Sequence, residues 1–207
     1  YVEILRSDGK KVPTLISAQR SIINGVQYDV EIIVDISSRI DEQRAHEQQL
    51  AELARMDAVS GLANRRAFDE RMQAWVQEGV SGLRKTLALL DLDGFKAIND
   101  SHGHDVGDAV LQTVSQRVAQ SLREGDFVAR IGGDEFAILF KPTPHAIPAN
   151  RFEHIAQAIN APMDIQGHKL SVGVSIGAAE LEPNDDLLSF FRRADERMYG
   201  VKQSRSS

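Results

Sequence analysis

Residues 127–140 read FVARIGGDEFAILF, and no other stretch restricts the fold of this chain as tightly. Two apolar, alternating runs flank Gly132, Gly133, Asp134 and Glu135. That pattern predicts a buried β-hairpin whose tip is bare backbone on one half and paired carboxylate on the other. Adjacent acids at the end of a buried hairpin repel each other, so the surrounding fold has to give them a purpose.

The residues around the hairpin alternate between helix and strand patterns. Asn64 can cap a helix whose inner face is Phe68, Met72, Trp75 and Val76. TLALLDLD (86–93) is apolar on both faces until its end, which predicts a central strand. Leu111, Val114, Val118 and Leu122 share one stripe of a helix over DAVLQTVSQRVAQSL. After the hairpin come a helix near 150–160, further strand at SVGVSIGAAEL, and a last helix lined by Leu187, Phe190, Phe191, Ala194 and Met198. Helices interleaved with a sheet that contains a hairpin predict an α/β (α+β) sandwich of the ferredoxin-like kind, its sheet mainly antiparallel and flanked by helices.

The first 56 residues have a different grammar. Three β-like runs fill 1–36, separated by Asp8-Gly9 and Asn24-Gly25, both strong tight-turn signals. Three antiparallel strands cannot close a core alone, so they are expected to be the tail of a larger domain. Residues 37–56 lack glycine and proline and predict a connecting helix, with Ile40, Glu47, Leu50 and Ala54 near a heptad seam. A net charge of −6 argues against a surface that coats nucleic acid, while leaving room for one anionic ligand held by local cations. The chain has no cysteine, which excludes thiolate catalysis, disulfides and zinc–sulfur sites. No apolar run approaches the roughly 20 residues of a membrane span, and no leader pattern opens the chain, so a cytoplasmic location without membrane contact is expected.

The central strand ends in Asp91 and Asp93, which point the same way because they are two residues apart. Read alone, they are turn acids. If the hairpin lies beside this strand, Asp134 and Glu135 join Asp91, and three carboxylates call for a cation between them. Mg²⁺ typically takes one or two carboxylates plus substrate phosphates, so a metal-dependent phosphate site is the sharper expectation. The glycines at 132 and 133 would permit a tight turn and let a bulky ligand approach. Lys96 follows closely and can meet a phosphate. Asn99 and Asp108 are candidates for reading a base, since an aspartate accepts paired hydrogen bonds from a guanine edge. Singly, they read as a helix C-cap and a surface acid.

Together these residues resemble the GGDEF family of diguanylate cyclases. GGDEF stands unaltered at 132–136, DLDGFKAIND (91–100) matches D-x-D-x-F-K-x-x-N-D, and GHDVGD (103–108) matches G-H-x-x-G-D. DAVSGLANRR (57–66) resembles the first motif of the family, with Val59 and Ser60 in place of Leu and Thr. The resemblance covers 57–207 and implies a nucleotidyl-cyclase palm that condenses two GTP into cyclic di-GMP across a homodimer. It implies Mg²⁺, with Mn²⁺ as an alternative, on Asp91, Asp134, Glu135 and the Leu92 carbonyl. It implies Asn99 and Asp108 on guanine, and Phe95, Lys96 and Lys202 in the substrate site, with Asp134 and Glu135 as the catalytic acids. Arg205 stands one residue early for the second cation of the last helix, which here lacks the glycine of the family pattern. Arg123 and Asp126 fit the R-x-x-D of an inhibitory product site. A catalytically silent domain that binds GTP or cyclic di-GMP is the alternative. Residues 1–36, with VDISSR (34–39) at their junction to the linker, more weakly resemble the closing strands of a PAS sensor domain.

Overall fold

In the structure, a computed structural model, contacts divide the chain into Tyr1–Ala54 and Arg55–Ser207. The structure describes residues 1–80 and 82–206, and the side chains of Ile23, Tyr28, Glu47, Gln48 and Ser206 lie outside the described part. The expectation of an acid, Glu47, in the helix seam therefore lies outside the described residues.

In the first unit β1 (Val2–Leu5), β2 (Lys11–Ile23) and β3 (Val26–Asp35) form an antiparallel sheet in that order. Asn24 and Gly25 both have positive φ, 52° and 78°, as a two-residue hairpin turn requires. Val12 and Thr14 are the only buried residues of the unit among those described, so the three strands indeed make no core of their own. Helix α1 (Ser37–Leu53) follows, with Leu50 and Leu53 exposed.

The second unit is built on β4 (Arg84–Asp93). It pairs antiparallel with β6 (Glu135–Thr143) on one edge and β9 (Gly173–Glu180) on the other; β5 (Phe127–Arg130) closes the hairpin outside β6. The order is β5-β6-β4-β9. The period of two in a strand sorts the side chains of β4 into two cores. Ala88, Leu90 and Leu92 face α4 (His104–Ser121) and α5 (Ala149–Asn160), while Leu87 and Leu89 face α2 (Arg65–Glu78) and α6 (Leu187–Ser206). Protein on both faces explains why the strand reads as one apolar run. Trimming one of these leucines to alanine costs about 2–5 kcal/mol.

Two features escape the sequence patterns. A separate short helix, α3 (Phe95–His102), precedes α4, and α4 itself starts at His104, ahead of the predicted run; Gly94 and Gly103 take φ of 78° and 84° at the corners. A short hairpin of β7 (Met163–Ile165) and β8 (His168–Leu170) turns through Gln166 and Gly167, with strands too brief to show a period.

Helix α6 lies on β9 at backbone distance. A Cβ on Gly177 would stand 2.1 Å from the Met198 nitrogen and 2.3 Å from the Ala194 oxygen. Its φ lies outside the left-handed region, so the missing side chain serves proximity alone. Phe190, Ala194 and Met198 are buried there, and Lys202 follows one turn later.

Candidate active site

The end of β4 and the tip of the β5–β6 hairpin meet. Asp91 is opposite Glu135 on β6 and opposite Ser175 on β9. The Leu92 N–H donates to the Asp134 carbonyl at 3.1 Å, which ties the tip to the strand end. On an extended strand the N–H and C=O of one residue leave by the same edge, so the Leu92 carbonyl also faces the tip. Its side chain is core, 1% exposed, and only its backbone is available.

Charge collects here. Burial, then the carboxylates of Asp91 and Asp134, push the Glu135 carboxyl above its ordinary value, with Arg65 opposing. Asp91 is buried and accepts from Lys202 Nζ at 2.6 Å. That hydrogen bond raises the Lys202 pKa, against its desolvation. Asp93 accepts from Ser175 Oγ at 2.8 Å and from Arg205 Nη1 at 3.3 Å. The early placement of Arg205 therefore still brings it to the acidic end of the sheet, on Asp93. Among the described residues no group of three acids or histidines is arranged to hold a metal ion unaided.

The glycines of the tip behave differently from the expectation. Neither has a positive φ, so the turn does not depend on that freedom. A Cβ at Gly132 would lie 2.4 Å from Glu135 Oε2, so that space belongs to the protein's own carboxylate. Only Gly133 opens to free space.

At the α3–α4 corner Asn99 Oδ1 would lie 1.8 Å from a Cβ on Gly107, so its amide rests on the first turn of α4, beside exposed Asp108. Lys96 is exposed on α3. Phe95, expected in the substrate set, is a core residue, 7% exposed and packed beneath this corner against Gly107. Its ring supports the corner from the core side.

Arg123 and Asp126 lie along a separate cleft of about 290 Å³, also lined by Lys141, Ile147 and Arg151. The Asp126 carboxylate already accepts from the Arg123 N–H (3.0 Å), the Lys141 N–H (2.9 Å) and Arg151 Nη2 (3.3 Å). Three of roughly four acceptor positions are therefore committed within the chain. Arg151 was not singled out by the sequence and carries no pattern that would have found it. Arg130 and Asp57 were also missed as a pair. Arg130 donates to the Gly133 carbonyl and to Asp57 Oδ1, and a lone cation in the apolar arm FVARI was the available signal.

The comparisons with known proteins agree among themselves. The family model described as "Diguanylate cyclase, GGDEF domain" matches residues 54–207. The chain is 34% identical over 184 residues to the diguanylate cyclase DgcP of Pseudomonas aeruginosa, covering 88% of this chain and 26% of DgcP. It is 35% identical over 176 residues to the diguanylate cyclase DgcM of Escherichia coli K12, covering 84% of this chain and 42% of DgcM. The chain thus spans less than half the length of either relative. Among solved structures, it is similar to the coiled coil and GGDEF domain of DgcB from Caulobacter crescentus in complex with c-di-GMP. There the TM-score is 0.75 at 31% identity, covering 81% of this chain and 91% of that one.

Proposed function

The chain belongs to the GGDEF family of diguanylate cyclases, whose palm fold its second unit has, and from that premise we propose that residues 57–207 condense two GTP into cyclic di-GMP. One observation carries this reading: the carboxylates of Asp91 at the end of β4, Asp134 in the hairpin tip and Glu135 at the start of β6 act on one another at one end of the sheet, with Lys202 and Arg205 beside them.

In each of two steps a 3′-hydroxyl oxygen bonds to the α-phosphorus of the other nucleotide, the bond from that phosphorus to the β-phosphate oxygen breaks, and pyrophosphate leaves. The 3′-hydroxyl proton passes to a base, for which Asp134 is the candidate. Asn99 and Asp108 would orient guanine through paired hydrogen bonds. Lys96, Lys202 and Arg205 would bind phosphate, Lys202 moving there from Asp91. Two acids and a backbone carbonyl suit Mg²⁺ or Mn²⁺ completed by nucleotide phosphates, and do not suit an all-protein cage. Asp91, Asp134 and the Leu92 carbonyl would hold it, with Glu135 adjoining. Such an ion would offset phosphate charge and ease loss of the hydroxyl proton. One chain presents one GTP in this reading, so a homodimer is required. Arg123, with Arg151 across the cleft, would hold the product as an inhibitor, and Asp126 would frame them. Residues 1–36 would close a PAS-like sensor ahead of the linker 37–56, in a cytoplasmic protein.

The test is incubation of the chain with GTP and Mg²⁺ and chromatography for cyclic di-GMP. Wild type should form it, and folded Asp134→Asn should lose roughly 10²–10⁴-fold in turnover. GTP binding without product by wild type at any protein concentration would instead favour the silent module.

A further inference from the structure

We propose that Arg130 is a positioning residue for the hairpin tip, acting through the Gly133 carbonyl; its consequence for chemistry rests on the reading above, in which Asp134 holds the metal. Arg130 ends β5 and turns its guanidinium back over the tip. Nε and Nη2 donate to the Gly133 oxygen at 3.1 and 2.8 Å, and Nη1 donates to Asp57 Oδ1 at 2.9 Å. Its side chain is 12% exposed and that of Asp57 25%.

The Ile131 and Gly132 N–H groups close the tip by donating to the Glu135 carbonyl at 2.9 and 3.4 Å, but neither bond involves Gly133 or Asp134. Beyond its chain neighbours, no heavy atom lies within 4 Å of where a Gly133 Cβ would stand, so side-chain packing does not brace that face of the residue. Two adjacent glycines leave the backbone maximally free. The peptide on the N-terminal side of Asp134 is held through the Gly133 carbonyl by Arg130, and the one on its C-terminal side through the Asp134 carbonyl by the Leu92 N–H. With both flanking peptides fixed, the direction in which the Asp134 carboxylate leaves the chain is fixed.

Asp57 is in turn a firm anchor. It accepts from the Ser60 N–H at 2.8 Å, its own N–H donates to Leu62 O at 2.8 Å, and the Arg130 N–H donates to Ala63 O at 2.8 Å. An exposed glycine carbonyl could be satisfied by water, so a mostly buried guanidinium serves geometry more than solvation. Only a planar fork can grip one oxygen with two nitrogens and keep a third on a carboxylate. Lysine, a point charge, cannot.

The experiment compares the full chain with its Arg130→Lys and Asp134→Asn variants. Amide exchange of the metal-free protein should rise at Gly133–Glu135 in Arg130→Lys, with β4 and the rest of β6 unchanged. Mn²⁺ affinity, read by electron paramagnetic resonance with a non-hydrolysable GTP analogue bound, should fall 10–100-fold, as should turnover. Affinity for the analogue without metal should hold within about twofold. Unchanged tip exchange, or raised exchange with wild-type Mn²⁺ affinity, overturns the proposal. A wild-type Mn²⁺ affinity in Asp134→Asn refutes the metal reading instead, and leaves tip exchange to decide whether Arg130 holds the tip.

Discussion

Replacing Gly177 by alanine tests how the last helix sets the site. The new Cβ would stand 2.1 Å from the Met198 nitrogen, where real contacts stay above 3.0 Å, so α6 or β9 must yield by at least 0.9 Å. The atoms in the way are backbone, and no rotamer change relieves them. Overpacking of this kind costs about 1–3 kcal/mol. For a unit of this size each kcal/mol lowers Tm by about 2–4 °C, which gives a fall of about 2–12 °C. Directed along the 2.6 Å hydrogen bond from Lys202 to Asp91, the same displacement would stretch it to about 3.5 Å, the edge of hydrogen-bond reach. Misplacement by about 1 Å near the chemistry can cost about 10²-fold in rate. Scanning calorimetry and cyclic di-GMP formation at saturating GTP read the two effects. Gly200→Ala is the control, because that glycine lies on the same helix with nothing within 4 Å, and alanine there should be neutral or slightly stabilising. Wild-type Tm and rate in Gly177→Ala, or equal losses in Gly200→Ala, would refute the reasoning.

Asp108→Ala should weaken GTP binding far more than ATP binding, since an unpaired guanine edge can discriminate by about 10⁴-fold; equal losses in calorimetry would remove Asp108 from base reading. Progress curves should flatten before GTP is exhausted, and Arg123→Ala should straighten them; an initial rate insensitive to added cyclic di-GMP would dismiss the inhibitory cleft. Burial would raise the Asp57 carboxyl, but hydrogen bonds from Ser60 and Arg130 outweigh it and hold it below its ordinary 3.8. A lowered acid stabilises the fold above its unfolded pKa and loses that contribution as pH falls through the folded one. Asp57→Asn should therefore lower Tm at pH 7, with the gap to wild type closing as pH falls below 3.8; a gap constant down to pH 3 would contradict this.

The sheet was readable because β4 and the hairpin arms are long and apolar, and the acids were readable because they interrupt those runs. Asp91 and Glu135 could be placed together once the strands were adjacent, since register follows from the pleat. What the patterns missed depends on side chains that cross between distant segments. Arg130 reaches Asp57 across 73 residues, and Arg151 reaches Asp126 from a helix with no distinguishing motif. Phe95 shows a related limit: its motif position puts it near the site, and only packing shows that its ring points into the core. The Gly132 space was misassigned because a sequence does not say which neighbour fills the gap a glycine leaves.

The position of β9 and α6 at the end of the chain has a consequence for how the molecule folds. Hairpin β5–β6 closes locally, whereas Asp93 meets Ser175 across 82 residues and Asp91 meets Lys202 across 111. Contacts between distant segments carry the larger loop-closure cost and form late. A refolding chain therefore assembles its carboxylates on β4 and β6 first and receives the cations that neutralise them last. In that interval the nascent sheet presents an uncompensated acidic end that attracts Lys202 and Arg205, so moderate salt, which screens that attraction, should slow the final docking of the C-terminal helix.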